Sequence, residues 1–458
     1  MAFDSELVAR YDTHGPRYTS YPTAAQFHAG FGTAHYLEAV EASNDEPIPR
    51  DLSLYVHLPF CNSACWYCAC HRSITHRDDR ARSYLSALYE EIVRKAAHFD
   101  RDRLVRQLHF GGGTPTFYSL QELADILRIL ARAFSFAPSR DCELGIEIDP
   151  RSVSPEEARD LARLGFDRFS LGVQDFDPRV QRAINRRQSI GQVRGIVDAV
   201  RKAGAGSVSF DLIYGLPHQT PQRFARTLKL VAALQPDRVS VYAYAHMPER
   251  FPLQSLMPAD ALPDSATRLR MLQLCHEYLG AEGYRAIGLD HFVRPSDPLM
   301  RAFENGTLQR NFQGYSTHGG CDLIGLGASA ISSIGDVYAQ NETDIRRWQA
   351  TLQTGELPIA RGLRLNADDR LRRDVIQDLM CRGHVDTAAV AAEHGLDFWR
   401  YFADALAPLE AMSEDGLLVM DAGSLRITEK GRLLMRNVAM VFDAYAATSP
   451  QKRFSQVI

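Results

Sequence analysis

Tyr55-Val56-His57-Leu58-Pro59-Phe60-Cys61-Asn62-Ser63-Ala64-Cys65-Trp66-Tyr67-Cys68-Ala69-Cys70 is an apolar strand running into a loop with four cysteines. Cys61, Cys65 and Cys68 have the spacing C-x3-C-x2-C. Iron–sulfur cubanes normally take four thiolates, so three leave one iron with an open position, the feature that separates catalytic from structural metal sites. The loop therefore predicts a 4Fe–4S cluster that activates a bound molecule. The alternative is a local zinc knot of the four sulfurs with His71, although structural zinc sites usually join two ligand pairs across a longer stretch. Cys70 acquires no role from its spacing.

Outward from this loop, strand-like and helix-like patterns alternate. Strands are expected at 52–58, 104–110, 143–148, 168–173, 208–213 and 238–244. Helices with apolar spacing near 3.6 are expected at 84–98, 120–134, 155–164, 192–203 and 221–234. Ser154 and Pro155 read as a cap and first-turn proline, and Gly165 and Gly204 as helix stops. Such alternation predicts parallel strands with right-handed crossovers, an α/β fold built as a partial (β/α)6 barrel.

In these barrels chemistry collects at the C-terminal ends of the strands, where the unusual residues fall. The cysteine loop follows the first strand and Gly111-Gly112-Gly113-Thr114-Pro115 the second. Glu147 and Asp149, Gln174 and Asp175, Asp211, and Tyr244-Ala245-His246 end the other four. The glycines permit close backbone approach, and their amides would suit a carboxylate. Glu147 is a candidate acceptor for a ribose or amine. Asp211 interrupts an apolar run and should need a partner.

The ends differ from the middle. Residues 1–50 form an arm carrying Pro16-Arg17-Tyr18-Thr19-Ser20-Tyr21-Pro22, whose tyrosines predict docking onto the body. Residues 51–363 hold the barrel and an extension. Residues 364–458 read as a mainly helical, winged-helix-like domain with a hairpin over 416–428 and a helix from Glu429. Across 458 residues, 45% are apolar and 24% charged, with a net charge of -4. That balance gives no sign of a general nucleic-acid binder, although a local basic pocket can hide inside the sum. The opening residues lack a secretory pattern, and no apolar run of about 18 residues predicts a membrane span. Eight cysteines, half of them in one loop, argue for metal in a reducing compartment, the cytoplasm.

The run 55–70, with 111–115, Gly172-Val173-Gln174-Asp175-Phe176 and 211–217, resembles the radical S-adenosylmethionine enzymes. Further matching runs are 15–23, Cys70, Arg310-Asn311-Phe312-Gln313-Gly314-Tyr315, Gly327-Ala328-Ser329-Ala330-Ile331-Ser332 and Phe454-Ser455-Gln456-Val457-Ile458. With these the chain resembles, over nearly its whole length, the oxygen-independent coproporphyrinogen III oxidase (coproporphyrinogen dehydrogenase) family. The resemblance implies a 4Fe–4S cluster on Cys61, Cys65 and Cys68. It also implies a radical, made by one-electron cleavage of S-adenosylmethionine, that converts two propionates of coproporphyrinogen III to the vinyl groups of protoporphyrinogen IX. Tyr55, Tyr67, Glu147, Gln174 and Ala245 match contacts to the cluster-bound S-adenosylmethionine. Gly112, Gly113, Thr114, Arg186, Asp211 and Ile331 match a second molecule of it; by sequence alone Arg186 could equally be a solvated helix charge. The four carboxylates of the substrate call for cations and donors, with Arg17, Tyr18, Arg310 and Gln313 as candidates. The implied partners are a reductant such as a flavodoxin or ferredoxin, no nucleic acid, and no obligate second copy, a monomer being the default. Haem chaperones and haem-degrading methyltransferases resemble the same barrel. The chaperones generally lack the fourth cysteine and the 16–23 arm, both present here.

Overall fold

The computed structural model describes residues 5–446 and Phe454. The run 455–458 noted above lies outside them. Six strands alternate with helices: β1 (Leu52–Leu58), β2 (Leu104–Gly112), β3 (Glu143–Ile148), β4 (Arg168–Gln174), β5 (Ser207–Tyr214) and β6 (Arg238–Ala243). They pair in parallel and in sequence order. Right-handed crossovers that never reverse direction put their helices on one face of the sheet. The other face curls inward. Helices start where the sequence signals them: Ser119, Ser154 and Ser189 each accept an N3 amide in a capping box. They stop at Gly165 and Gly204, whose φ values of 108° and 93° suit glycine.

Strand periodicity assigns the two faces. Leu54, Val56, Phe110, Ile146, Leu171 and Phe210 are buried in the main core with the crossover helices. His109, Glu143, Glu147, Ser170, Asp211 and Ser240 line a polar cavity of about 160 Å³ inside the curl.

The sheet continues past the six strands. On the β6 side, β7 (Arg285–Ile287) and β8 (His291–Val293) add antiparallel pairs. On the other side β9 (Asp322–Leu326) lies parallel to β1, with Tyr55 opposite Gly325. Antiparallel β10 (Ile331–Ile334), β11 (Val337–Asn341) and β12 (Ile359–Arg364) follow. Among the described residues no pairing joins β7 to β12, so the barrel is open.

The arm docks as its tyrosines predicted. Tyr18 and Tyr21 are buried against the C-terminal core. The Tyr18 hydroxyl donates to Asp443 at 2.8 Å, and the Ala444 amide donates to the Tyr21 hydroxyl at 3.0 Å. The arm also holds an unanticipated helix, Thr33–Asn44. Its buried Tyr36, Ala39, Val40 and Ser43 fall on an i, i+3, i+4, i+7 stripe of small or mixed residues too weak to stand out.

Beyond Asn366 come helices Ala367–Arg382, Thr387–His394 and Ala403–Glu414. A small antiparallel sheet orders His384–Asp386, Ser424–Ile427 and Leu418–Met420. The helix expected from Glu429 is instead a 3-10 turn, Lys430–Leu434, followed by Met435–Met440. There Gly431 abuts the Leu417 carbonyl so closely that any side chain would collide. No helix among the described residues is long and apolar enough to cross a membrane.

Candidate active site

The cysteine loop is pinned at both flanks. The Ser73 amide donates to Pro59 O at 2.8 Å and the Thr75 amide to Cys61 O at 3.2 Å. Across the loop, Trp66 N–H donates to Ile184 O at 3.1 Å, and Asn185 Nδ2 to Ala64 O at 2.7 Å. Trp66 and Tyr67 pack with Ile184, Ile213, Tyr244 and Met257 at the ends of β5 and β6. Buried Gln254 donates to both Tyr67 O and Ala245 O at 3.2 Å, tying the loop to the exit of β6.

Cationic and hydroxyl donors face the sulfurs. Thr114 Oγ1 donates to Cys61 Sγ at 3.2 Å. Arg151 and Arg186 donate to Cys65 Sγ at 3.1 and 3.3 Å. Both guanidiniums also hold Asp149, at 2.7 and 2.9 Å. Arg186 is buried and further donates to Gly172 O, so it is a pinned group rather than a solvated helix charge. A hydrogen bond from Cys70 draws Cys68 down to about 6, against the cost of burial and with help from Arg72. Burial pushes Cys61 up to about 11. Cys70, exposed, stands beside Cys68 as its hydrogen-bond partner.

Sulfurs on one tetrahedral zinc would lie about 3.8 Å apart, given a Zn–S bond near 2.3 Å. Among the described residues the loop forms no trio of ligand atoms within 4.8 Å of one another; Asp374, Glu393 and His394 do. The three loop thiols, with the Thr114 hydroxyl and the Arg151 and Arg186 guanidiniums donating to two of them, thus fit a larger, negatively charged cluster better than a single zinc ion.

Tyr55, Glu147 and Gly112 meet beside this loop. The Tyr55 ring stacks on His109 at 6.1 Å and 12°. Its hydroxyl lies 3.2 Å from His57 Nδ1, while His57 Nε2 lies 3.0 Å from the His71 carbonyl. His57 Nε2 also lies 3.3 Å from His71 Nδ1, so the two histidines and Tyr55 form one hydrogen-bonded chain. Burial lowers His57 to about 4, which keeps it neutral. Glu147 accepts from Gly112 N at 3.2 Å and His109 Nε2 at 3.3 Å. Burial opposes its charge, but the His109 bond holds it below the usual carboxylate range.

The glycine run serves packing. The Gly113 and Thr114 amides donate to Leu58 O and Phe60 O at 2.9 and 3.0 Å, and that of Gly112 is on Glu147. The amides expected to suit an anion are therefore already engaged. A Cβ at Gly112 would meet the His57 ring at 2.6 Å, and one at Gly113 would meet Pro59 O at 2.5 Å.

Gln174, at φ 64°, ends β4 with its Nε2 next to Gly172 and the Arg186 guanidinium. Ile331 backbone atoms press against Gly325, the residue opposite Tyr55, where a Cβ would meet Ile331 O at 2.6 Å. Asp175 is a structural acceptor instead of a rim group: Gln219 and Thr227 donate to it at 2.6 and 2.7 Å in full burial. Arg151 and Gln254 escaped sequence reading, because nothing in their own neighbourhoods distinguishes them from surface polar residues.

A cleft of about 1030 Å³ opens beyond Ala245 and Tyr244. Arg17, Arg250, Arg268 and Arg361 line it with His14 and His246, and Glu249 is its one carboxylate among the described residues. This is the local basic pocket that the net charge of -4 concealed. Arg17 lies over the Tyr242 ring at 5.4 Å and donates to Ala243 O, and Tyr18 lines the same cleft. Arg310 does not line it. It is buried in an ion pair with Asp290 at 3.4 Å and stacked over Tyr315. Gln313 lines the inner cavity instead, with its Nε2 buried and unpartnered.

Asp211 accepts from Ser170 at 3.0 Å, and burial followed by repulsion from Glu147 raises it to about 6. A carboxyl raised in the folded state favours protonated native protein, so stability falls as pH rises from about 4 to 6. Asp211→Asn is therefore expected to flatten that stretch of the pH profile. It should raise stability at pH 7.5 by on the order of 2 kcal/mol, less than the full shift because cavity water screens the charge. Denaturant melts of both proteins at pH 4, 6 and 7.5 measure it.

With this geometry in view, comparison with known proteins is direct. Residues 55–231 match the Radical SAM superfamily model, and residues 365–434 the HemN C-terminal domain model. An oxygen-independent coproporphyrinogen III oxidase of Pseudomonas aeruginosa is 50% identical, covering 100% of this chain and 99% of that protein. The Escherichia coli protein of the same name is 43% identical, over 100% and 98%. The solved structure of coproporphyrinogen III oxidase (HemN) from Escherichia coli superposes with a TM-score of 0.92 at 42% identity, covering 97% of this chain and 99% of that one.

Proposed function

Because the chain belongs to the oxygen-independent coproporphyrinogen III oxidase family of radical SAM enzymes, we propose that it oxidatively decarboxylates two propionates of coproporphyrinogen III to give protoporphyrinogen IX. The observation that carries this reading is the placement of a three-thiol loop, ringed by Arg151, Arg186 and Thr114, next to a basic cleft of tetrapyrrole size. When bound, the cluster and S-adenosylmethionine supply the 5′-deoxyadenosyl radical that removes hydrogen from a propionate.

The chain's own residues bind and orient. Cys61, Cys65 and Cys68 would hold the cluster. Tyr55, Glu147, Gln174, Tyr67 and Ala245 surround the place for S-adenosylmethionine, with Glu147 able to accept from its amino group or ribose. Gly112, Gly113, Thr114, Arg186, Asp211 and Ile331 form the set for a second molecule. Of these, Asp211 offers the free acceptor capacity, whereas the Gly112, Gly113 and Thr114 amides shape the backbone. Arg17, Arg250, Arg268 and Arg361 would take the carboxylates of the substrate, and the arm closes the cleft over it.

The division into an arm over 1–50, a barrel region over 51–363 and a C-terminal domain over 364–458 organises these roles. Helix, short strand, helices and hairpin give the last region a winged-helix-like order that braces the arm. Eight free thiols support a cytoplasmic setting.

Anaerobic reconstitution, then incubation with coproporphyrinogen III, S-adenosylmethionine and reductant, tests the reading. Methionine and protoporphyrinogen should form together, whereas haem binding without decarboxylation would mark a chaperone. Arg268→Ala and Arg361→Ala should each weaken binding of coproporphyrin III about tenfold, the scale of one charge-assisted contact. Binding of the tetramethyl ester should be unaffected by either change. Equal losses for acid and ester would refute the carboxylate role.

A further inference from the structure

A porphyrinogen brings two chemistries to the basic cleft. Its peripheral carboxylates accept hydrogen bonds and suit the arginines, whereas its pyrrole N–H groups only donate and need an acceptor. Acceptors are scarce in the cleft. At the exit of β6 three backbone carbonyls are already engaged: Arg17 donates to Ala243 O at 3.3 Å, Arg268 to Tyr244 O at 3.2 Å and Gln254 to Ala245 O at 3.2 Å. His246 Nδ1 lies 2.9 Å from the Tyr244 hydroxyl. Glu249 is the one carboxylate lining the cleft among the described residues. It is exposed, and among the described residues its carboxylate has no hydrogen bond or ion pair. Its place is nevertheless fixed. The Arg250 and Phe251 amides close the turn around it on Met247 O at 3.0 and 2.9 Å. Met247 N donates to Gln254 Oε1 at 2.6 Å, and Gln254 donates to Tyr67 O at 3.2 Å. One buried side chain therefore fastens both the turn that carries Glu249 and the cysteine loop.

We propose that Glu249 is a specificity-determining residue whose carboxylate accepts from the pyrrole N–H groups of the reduced tetrapyrrole, selecting porphyrinogen over porphyrin. The inference rests on the substrate reading above. In a porphyrinogen the saturated bridges let the pyrroles tilt, so that N–H groups turn to one side of the ring where a carboxylate reaches them. In a porphyrin they lie within the plane of a flat conjugated ring and face one another. A site built to hydrogen-bond a substrate N–H discriminates against an analogue that cannot present it. Charge alone acts in the opposite sense. A carboxylate among Arg17, Arg250, Arg268 and Arg361 weakens binding of any polyanion, so its removal would strengthen porphyrinogen and porphyrin alike. The sign of the effect separates the two roles.

The test uses the iron-loaded full chain and measures anaerobic binding of coproporphyrinogen III and of coproporphyrin III without S-adenosylmethionine, so that neither is turned over. Glu249→Gln should weaken coproporphyrinogen III about tenfold, the scale of one charge-assisted hydrogen bond, while coproporphyrin III affinity holds or rises. Arg361→Ala should weaken both and is the contrast. In turnover the Glu249→Gln loss should appear in KM, with kcat near the parent value. Unchanged porphyrinogen affinity in Glu249→Gln overturns the proposal. An equal loss for both ligands also overturns it, since that is what a change in cleft shape would give. A parent chain that binds neither tetrapyrrole overturns the substrate reading and this inference with it, whereas a parent that binds both with no loss in the variant overturns this inference alone.

Discussion

Cys65→Ser is expected to abolish methionine and protoporphyrinogen formation together. The loss should exceed the roughly 10²–10³-fold that follows removal of one catalytic hydrogen-bond donor, because the change would remove a ligand of the proposed cluster. Cys65 is also the sulfur that the structure has charged most heavily for: two guanidiniums, Arg151 and Arg186, donate to it and share one carboxylate, Asp149. Serine would not supply the sulfur that both guanidiniums meet, so buried Arg186 and part-buried Arg151 would be left with Asp149 as their one shared partner. The variant should therefore lose iron and sulfide as well as activity. Metal analysis and the cluster's visible absorption check it after anaerobic loading. A variant that kept full iron content with no activity would show that Cys65 acts on substrate and not on the cluster. Zinc at one equivalent in the parent would revive the metal-knot alternative.

What could be read from the sequence and what could not divide along physical lines. Strand positions β1 to β6 were legible because every second residue must be apolar to meet the crossover helices, as Leu54, Val56, Leu171 and Phe210 do. The same alternation places His109, Glu143 and Asp211 inside, and of these three only Asp211 was singled out from the sequence. The cysteine loop was legible because its thiols are neighbours in sequence. The basic cleft was not: Arg17, Arg250, Arg268 and Arg361 come from the arm, the segment after β6, its following helix and β12, and only the topology joins them. Strand β9 was hidden for the same reason, since it reaches β1 with no helical crossover directly from it. Arg310 misled because an arginine in a polar run reads alike whether it meets substrate or, as here, a buried aspartate. Asp175 misled because a strand-end carboxylate looks the same whether it faces the cleft or caps the next turn.

Removing residues 1–22 should abolish turnover while leaving cluster loading intact. The argument lies in where each part is fastened. Among the described residues, the hydrogen bonds that fasten residues 61–70 go to their own segment, to residues that follow β2, β3 and β4 and to Gln254, and none to the arm. The arm instead meets the C-terminal domain. Arg436 donates to Pro16 O at 3.1 Å, Asn437 to Tyr11 O at 2.7 Å, and Tyr18 and Tyr21 are buried there. Arg17 and Tyr18 line the cleft. Truncation thus opens one wall of the cleft and removes one of its cations. It also bares apolar surface worth roughly 1.5–3 kcal/mol for each large side chain lost from the C-terminal core, so that domain should soften as well. Arg17→Ala separates the two effects. It keeps both tyrosines, so the melting temperature should hold while coproporphyrin III affinity falls about tenfold, as for loss of one charge-assisted contact. Parent-level iron and sulfide in the truncated chain, with methionine formation uncoupled from protoporphyrinogen, is the expected signature. Full activity after truncation would mean that the barrel and its extension alone hold the substrate.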